Sequence, residues 1–382
     1  MKKDSSTALE REDSAEVAPI RHPIFQLVRP ALVVGCLYIL LIGLDFLINH
    51  HHPIYYVHIG PRFVYHDPHA LAGYDGQFYY QIARDPLHAA PFIDKPAYRY
   101  QRIVYPLLVA ALSFGQARLI PYMLLLVSFV SIVLGTELFA RLLIKKNLSP
   151  WYSLAFGLYF GQAAAFLFDL TEPLTYLLVC LGLFLLFQKR PTFAAIIWGL
   201  AVLSRETAIL FPLGYILMYL YQKRWQDALR FFLLSIVPTV VWYFIVGLLF
   251  HTNGLSGAPP FERIPFQGLF YFYNDQRLFW PLVLLMLIPT LLSIFLALKE
   301  VFQHHWKNVS WLIWLLNLVL VTNMSRLTYA GLVSAGRLSI GLVLAMLLHG
   351  LYTRNKTILR VSQVYALTFL FYAISILFIA PV

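Results

Sequence analysis

Long apolar runs recur along the chain, broken by short polar or basic punctuation. A hydrocarbon core about 30 Å thick needs roughly 20 mostly apolar residues per helix, and by that criterion about eleven crossing segments are predicted. They lie near 28–48, 120–144, 151–168, 172–188, 192–204, 207–222, 231–250, 279–298, 309–324, 338–353 and 361–382. The two near 192–222 are short and separated only by Ser204-Arg205-Glu206. Residues 1–27 are polar with mixed charge and read as a disordered cytoplasmic tail. The first apolar run starts too late, and is too long, for a cleaved signal peptide, so it is expected to be an uncleaved anchor. No inverted or parallel repeat is visible. The expected fold is an all-α, polytopic transmembrane helical bundle, one membrane domain over 28–382.

Composition agrees. The 382 residues are 60% hydrophobic and 12% charged, with 16% aromatics. A soluble chain carries about 45–50% apolar and about 25% charged residues. Those values exclude a soluble enzyme, a coiled coil and a disordered chain, and make the lipid bilayer the first partner. The formal net charge of +11 would suggest nucleic acid only if the basic residues shared one solvated face. They punctuate apolar runs instead, so no nucleic acid partner is expected. Cys36 and Cys180 both sit inside apolar runs and predict no disulfide framework.

Lys and Arg placement orients the bundle. With the N-terminus in the cytoplasm, Lys145-Lys146, Lys189-Arg190, Lys223-Arg224-Arg230, Lys299-Lys307 and Arg354-Lys356-Arg360 all fall on the cytoplasmic side. Asp67, Asp75, Asp85, Asp94, Asp169, Glu172, Glu206, Glu262 and Asp275 then fall outside, with Arg99, Arg102, Arg205, Arg263, Arg326 and Arg337. Polar chemistry is expected at the external face of the plasma membrane.

The longest stretch that does not span, 49–119, is too long for a simple connector. Within it Gly73–Pro86 predicts a short interfacial helix with Phe78, Tyr79 and Ile82 on an apolar face and Gln77, Tyr80, Gln81 and Arg84 on a polar one. Asp75 at its start has two readings: an N-cap that accepts from first-turn N–H groups, or a carboxylate at the membrane mouth that acts as general base or hydroxyl orienter. The apolar run near 103–115 is too short to span and reads as re-entrant or interfacial. Arg99 and Arg102 before it either snorkel to anchor a surface helix or hold an anionic ligand.

The run Tyr74-Asp75-Gly76-Gln77-Phe78-Tyr79-Tyr80-Gln81-Ile82-Ala83 resembles the first-loop motif of the GT-C superfamily of membrane glycosyltransferases, in particular PIG-V-type mannosyltransferases and bacterial cell-surface glycopolymer formation proteins. Three further matches follow in family order: Arg102–Leu108 resembles a "YPLL" step, Asp169–Leu174 a "TEP" entry to a span, and Leu203–Thr207 an "LTR" step. Ala335-Gly336-Arg337-Leu338 is loosely similar to an arginine-bearing step of the superfamily. The resemblance implies a GT-C-like fold and transfer of a sugar from a polyprenyl-phosphate donor to a glycan or glycopolymer at the external face. It maps the family's catalytic carboxylate onto Asp75. No DxD, P-loop or GxGxxG motif occurs that would serve a nucleotide donor.

Other charges carry paired readings. Asp169, Glu172, Arg205 and Glu206 lie at the outer ends of neighbouring segments. They form either a salt-bridge cluster, Arg205 with Glu172 or Asp169, or a site in which Arg205 binds donor phosphate. Arg337 and Arg326 are rival phosphate ligands. Glu137 and Arg141 suit an intrahelical i,i+4 pair. Asp45 either bonds within the bundle or faces the site. His50, His51, His52, His58, His66, Asp67 and His69 crowd the first loop, where a divalent metal is conceivable and plain solvation is the alternative. The aromatic loop near 251–278 reads as an interfacial belt or a lid.

The expected activity is therefore glycosyl transfer. Asp75 is the catalytic candidate, and Arg99, Arg102, Arg205 and Arg337 would hold the donor phosphate. Gln77, Tyr79, Asp169, Glu172 and Glu206 would support them or meet the acceptor; no metal ligand is assigned. A transporter or flippase of lipid-linked sugar, with charges near the midplane and paired broken helices, and a non-catalytic subunit of glycopolymer assembly are the alternatives.

Overall fold

Helix α1 (Pro30–Asn49) begins with a proline in its first turn, where a missing N–H leaves no bond unmade, and ends where His50 turns left-handed and donates its N–H to Phe46 O. Its 20 residues reach about 30 Å at 1.5 Å each, the thickness of a hydrocarbon core. The computed structural model describes residues 29–252, 254–303 and 307–378. The tail expected over 1–27 lies outside the described residues.

Among the described residues the regular structure is all helical, with a single isolated bridge, between Ile59 and Gly73, and no strand. Six helices are long and apolar enough to cross a membrane: Pro30–Asn49, Ala117–Lys145, Trp225–Phe250, Gln276–Phe302, Leu332–Tyr352 and Lys356–Phe378. The chain is thus a membrane protein. Four further apolar helices are shorter: Glu172–Phe187, Pro191–Ser204, Glu206–Tyr221 and Val309–Thr322. The segment expected near 151–168 breaks into Pro150–Ser153, Leu154–Gly157 and Phe160–Leu167.

The elements that frame the polar end are α2 (Gly76–Arg84), α3 (Val104–Leu112), α4 (Ile120–Lys145), α5 (Phe160–Leu167), α6 (Glu172–Phe187), α7 (Pro191–Ser204), α8 (Leu332–Leu338) and α9 (Val364–Phe378). The helix over Leu332–Tyr352, which begins with α8, runs through the middle of the bundle, with 83% of its apolar window enclosed against 22% for Trp225–Phe250. Apolar side chains such as Ile39, Leu47, Phe244, Leu249, Phe295 and Leu367 point outward. A continuous apolar exterior of that kind suits lipid and not water.

Ion pairs and ring contacts fix which helix ends meet. Arg29, before α1, pairs with Glu137 late in α4 at 3.4 Å, and Arg141 pairs with the same carboxylate at 2.8 Å in the expected i,i+4 geometry. Lys145 and Lys146 lie over Phe184 and Phe187, Phe187 packs on Tyr352, and the Tyr352 hydroxyl bonds Tyr215. The basic turns expected at one side therefore gather at one end of the bundle.

The first loop folds onto the opposite end. Helices α2 and α3 have nine residues each, about 14 Å, too short to cross. The interfacial reading of α2 is corrected in one respect. Half of its polar face turns inward: Gln77 and Gln81 are buried with Phe78, Tyr79 and Ile82, enclosed by α3 and the loops around Gly60 and Phe168, while Tyr80 is half-buried and Arg84 exposed as expected.

Candidate functional site

The backbone around Asp75 is held by residues that permit close approach. Gly73 takes φ +69°, and Tyr74 N–H donates to His58 O at 3.0 Å. Gln77 fastens this turn: its Oε1 accepts from Gly60 N–H at 3.0 Å, and its Nε2 donates to Ala72 O and Tyr74 O at 2.6 and 3.0 Å. A Cβ on Gly76 would lie 2.4 Å from Phe168 O, so only glycine lets α2 start against the residues before α6. Asp75 itself is already helical, at φ −59° and ψ −30°, and its side chain caps nothing. The N-cap reading is thereby replaced: the carboxylate turns to arginines instead.

Asp75 Oδ1 lies 3.0 Å from Arg99 Nη1 and Oδ2 lies 2.7 Å from Arg337 Nη2. Arg99 also grips Asp94 through two 2.8 Å bonds. Arg337 Nε lies 3.7 Å from Glu172, whose same oxygen is 3.0 Å from Arg205 Nη1. Arg205 Nε is 3.8 Å from Glu206, which Arg102 holds in a fork at 2.9 and 2.6 Å. Four guanidiniums and four carboxylates thus alternate in one chain: Asp94, Arg99, Asp75, Arg337, Glu172, Arg205, Glu206, Arg102. They come from the first loop, the start of α6, the turn after α7, and α8.

The members differ in what they can still do. Arg102 is 1% exposed, and beyond Glu206 it donates to Tyr79 Oη at 2.9 Å and Tyr98 Oη at 2.6 Å. Four of its five N–H groups are engaged in this way, so as observed it positions Glu206 and Tyr79 and keeps at most one Nη1 N–H for the phosphate it was expected to hold. Arg337 and Arg205 contrast with it: Nε and Nη1 of both are buried without an aligned hydrogen-bond acceptor. Arg337 also lies over the Tyr74 ring at 5.4 Å. Both oxygens of Glu172, which lies between them, likewise lack an aligned donor, so these are loosely aligned ion pairs whose N–H groups an incoming oxyanion can take. Burial alone would raise the Asp75 carboxyl, but Arg337, Arg99 and Arg102 around it more than reverse this and hold it well below the usual carboxylate range.

Not every expected residue joins. Asp169 is fully buried and its carboxylate has no hydrogen-bond partner; the salt bridge of Arg205 goes to Glu172. Gln77 is spent on backbone, so it fastens a turn and does not face a ligand. Arg326 is remote from the cluster: its N–H donates to Glu262, and its guanidinium lies over Tyr271. Asp45 bonds within the bundle, accepting from Asn49, His51 and Tyr56. The loop histidines disperse, His51 to Asp45, His58 onto Phe168 and His66 onto Phe92. Among the described residues no three His, Cys, Asp or Glu side chains converge as a metal would need. In the aromatic loop, Phe270, Tyr271 and Tyr273 are exposed while Leu269 is buried, and the chain before it packs on the site, with Gly257 against Tyr98 and Gly254 against Gln101.

Asp94, Tyr98 and Tyr74 were missed. Tyr98 sits four residues before Arg102, a helical spacing that was available as a signal; Asp94 before Arg99 had none.

Comparison of the chain with protein-family profiles, with curated proteins and with solved structures finds no significant match.

Proposed function

We propose that this protein is a polytopic membrane glycosyltransferase that moves a sugar from a polyprenyl-phosphate donor to a glycan or glycopolymer acceptor at the external face of the plasma membrane. The observation that carries the reading is Arg337, buried with Nε and Nη1 lacking aligned acceptors and paired to the Asp75 carboxylate, with Arg205 in the same state on the other side of Glu172. The clustering of this polar chain opposite the basic helix ends supports an external site, with the N-terminus cytoplasmic. The shorter apolar helices and the broken segment over 150–167 would complete about eleven crossings in a GT-C-like bundle, each tilted or flanked by polar turns.

In this reading the donor phosphate competes with Asp75 for the guanidinium N–H groups of Arg337 and Arg99. Arg99 keeps Asp94 and Arg337 keeps Glu172, so neither cation is stranded by the exchange. The released Asp75 accepts the hydrogen bond of the acceptor hydroxyl. The hydroxyl oxygen bonds to the anomeric carbon, the bond from that carbon to the phosphate oxygen breaks, and polyprenyl phosphate leaves with the electron pair. The hydroxyl proton passes to Asp75. Arginines preset at the departing oxyanion supply the electrostatic part of the acceleration.

The test is incubation of purified protein in lipid nanodiscs with a panel of polyprenyl-phosphate sugars and external-face glycan acceptors. Release of polyprenyl phosphate coupled to a new glycosidic bond supports the reading. Reconstituted vesicles that carry intact lipid-linked sugar across the bilayer with no transfer identify a transporter instead.

A further inference from the structure

A cavity with one polar wall lies where the outer end of α1 meets the ends of α5 and α9. It has a volume of about 290 Å³, at the small end of ligand pockets, which span about 300–1,000 Å³. That is room for one sugar-sized group and not for a chain of them. Its polar wall is built around Asp45, which is 1% exposed. The Asp45 carboxylate accepts from Asn49 Nδ2 at 2.8 Å, from His51 Nδ1 at 3.0 Å and from the Tyr56 hydroxyl. The His51 ring is further fixed by stacking on Tyr55, with centroids 3.4 Å apart and planes 8° apart. In the neutral imidazole, an Nδ1–H directed at the carboxylate leaves the lone pair on Nε2. His51 lines the cavity and is 24% exposed.

The chemistry of the wall narrows the occupant. Among the described residues no Lys or Arg lines the cavity, so an anion would meet only the negative Asp45. A cation would find that carboxylate already accepting from three donors. His58, on the same wall, is held neutral at pH 7, since burial pushes its imidazole down to about 4. What remains is a neutral rim of hydrogen-bonding groups with aromatic faces, opposite an apolar wall that includes Phe168 and Ile376. A neutral polyhydroxyl ring fits that combination.

The cavity also adjoins the arginine cluster. Phe168 stacks on His58 at 3.8 Å on one side and meets Tyr74 edge-on at 5.0 Å on another. Tyr74 precedes Asp75 and lies beneath Arg337. One aromatic wall therefore divides the two sites.

We propose that the Asp45–His51 cavity is a subsite for a single neutral sugar ring, whose hydroxyls donate to His51 Nε2, the imidazole being held in place by Asp45. That the ring belongs to the acceptor rests on the glycosyltransferase reading; that the cavity binds it does not. The same group is offered by the end of a soluble glycan and by a glycolipid headgroup.

Saturation-transfer NMR on the full chain in nanodiscs tests this, with methyl hexosides, methyl N-acetylhexosaminides and myo-inositol as soluble probes and dodecyl glycosides as the lipid-like arm. The expected result is saturable binding of at least one soluble or dodecyl probe, the responding arm identifying the source. Binding should weaken at least tenfold in His51→Phe. It should weaken equally in Ile376→Trp, which fills the cavity from the apolar wall and leaves the dyad intact. Absence of transfer by the wild-type chain alongside intact sugar binding overturns the enzyme reading and not this one. No saturable binding of any probe to the wild-type chain, or binding within twofold of wild type in both cavity variants, overturns the subsite.

Discussion

Arg337 Nη2 lies 2.7 Å from Asp75 Oδ2, joining a helix in the middle of the bundle to the first loop. A carboxylate clamped by two guanidiniums is a weak base until one of them is drawn away, so the pair links donor binding to acceptor activation. Asp75→Asn keeps the shape and removes the acceptor charge. Turnover measured as polyprenyl phosphate release should fall about 10²–10⁴-fold, the usual contribution of a positioned acid–base group. A variant that inserts at wild-type level and turns over within threefold would remove Asp75 from the mechanism.

Arg102 is assigned to holding the site together. Removing it in Arg102→Leu leaves Glu206, which is 34% exposed, with only its 3.8 Å contact to Arg205, so the loss should sit near the low end for a broken buried pair, about 3 kcal/mol. The double variant Arg102→Leu/Glu206→Leu should recover most of it, since an apolar pair of similar volume is often neutral. Thermal unfolding in nanodiscs, followed by near-UV dichroism, reads both. Equal destabilisation in single and double variants would count against the pairing.

Gly76 is where α2 touches the chain before α6. In Gly76→Ala the new methyl meets Phe168 O at 2.4 Å, and the strain should lower stability by about 1–3 kcal/mol. Because Asp75 moves with α2, turnover should fall further than stability alone explains. Wild-type turnover per folded molecule in Gly76→Ala would show that Asp75 is not held by this contact.

The pH dependence separates free and loaded states. In the free protein the arginines hold the Asp75 carboxyl well below the usual range, so it stays ionised and kcat/KM should show no acid limb from Asp75 near its ordinary pKa of about 4. Once phosphate takes the guanidinium N–H groups, the Asp75 pKa rises toward that ordinary value. Below it the carboxyl is protonated and cannot accept. The acid limb of kcat should therefore lie at higher pH than that of kcat/KM, and Asp75→Asn should abolish the difference. Coincident limbs in the wild type would contradict the exchange of partners.

That Asp75, Arg99, Arg205, Arg337, Glu172 and Glu206 share one end of the bundle was legible in the sequence, because the alternation of basic turns sorts every segment end to one side or the other; the same sorting includes Arg326 and Asp169, which do not join them. Which side-chain pairs form within the cluster was not legible. Hydropathy locates a residue along the membrane normal but says nothing of its direction around the helix, so the pairing of Arg102 with Glu206, Tyr79 and Tyr98 and the isolation of Asp169 could not be read. The break over 150–167 was hidden for a similar reason, since a kinked apolar segment has the same hydropathy as a straight one. The inward turn of Gln77 escaped because a polar face reads the same whether it meets water or backbone carbonyls.

The central claim is that Asp75 and an anionic lipid headgroup compete for the same guanidiniums. Its most direct measurement is the affinity of a polyprenyl monophosphate for the purified chain in nanodiscs of neutral lipid, in wild type, Asp75→Asn and Arg337→Gln. Competition predicts at least threefold tighter binding in Asp75→Asn, which frees two cations, and at least tenfold weaker binding in Arg337→Gln. Affinities unchanged in both variants would contradict it.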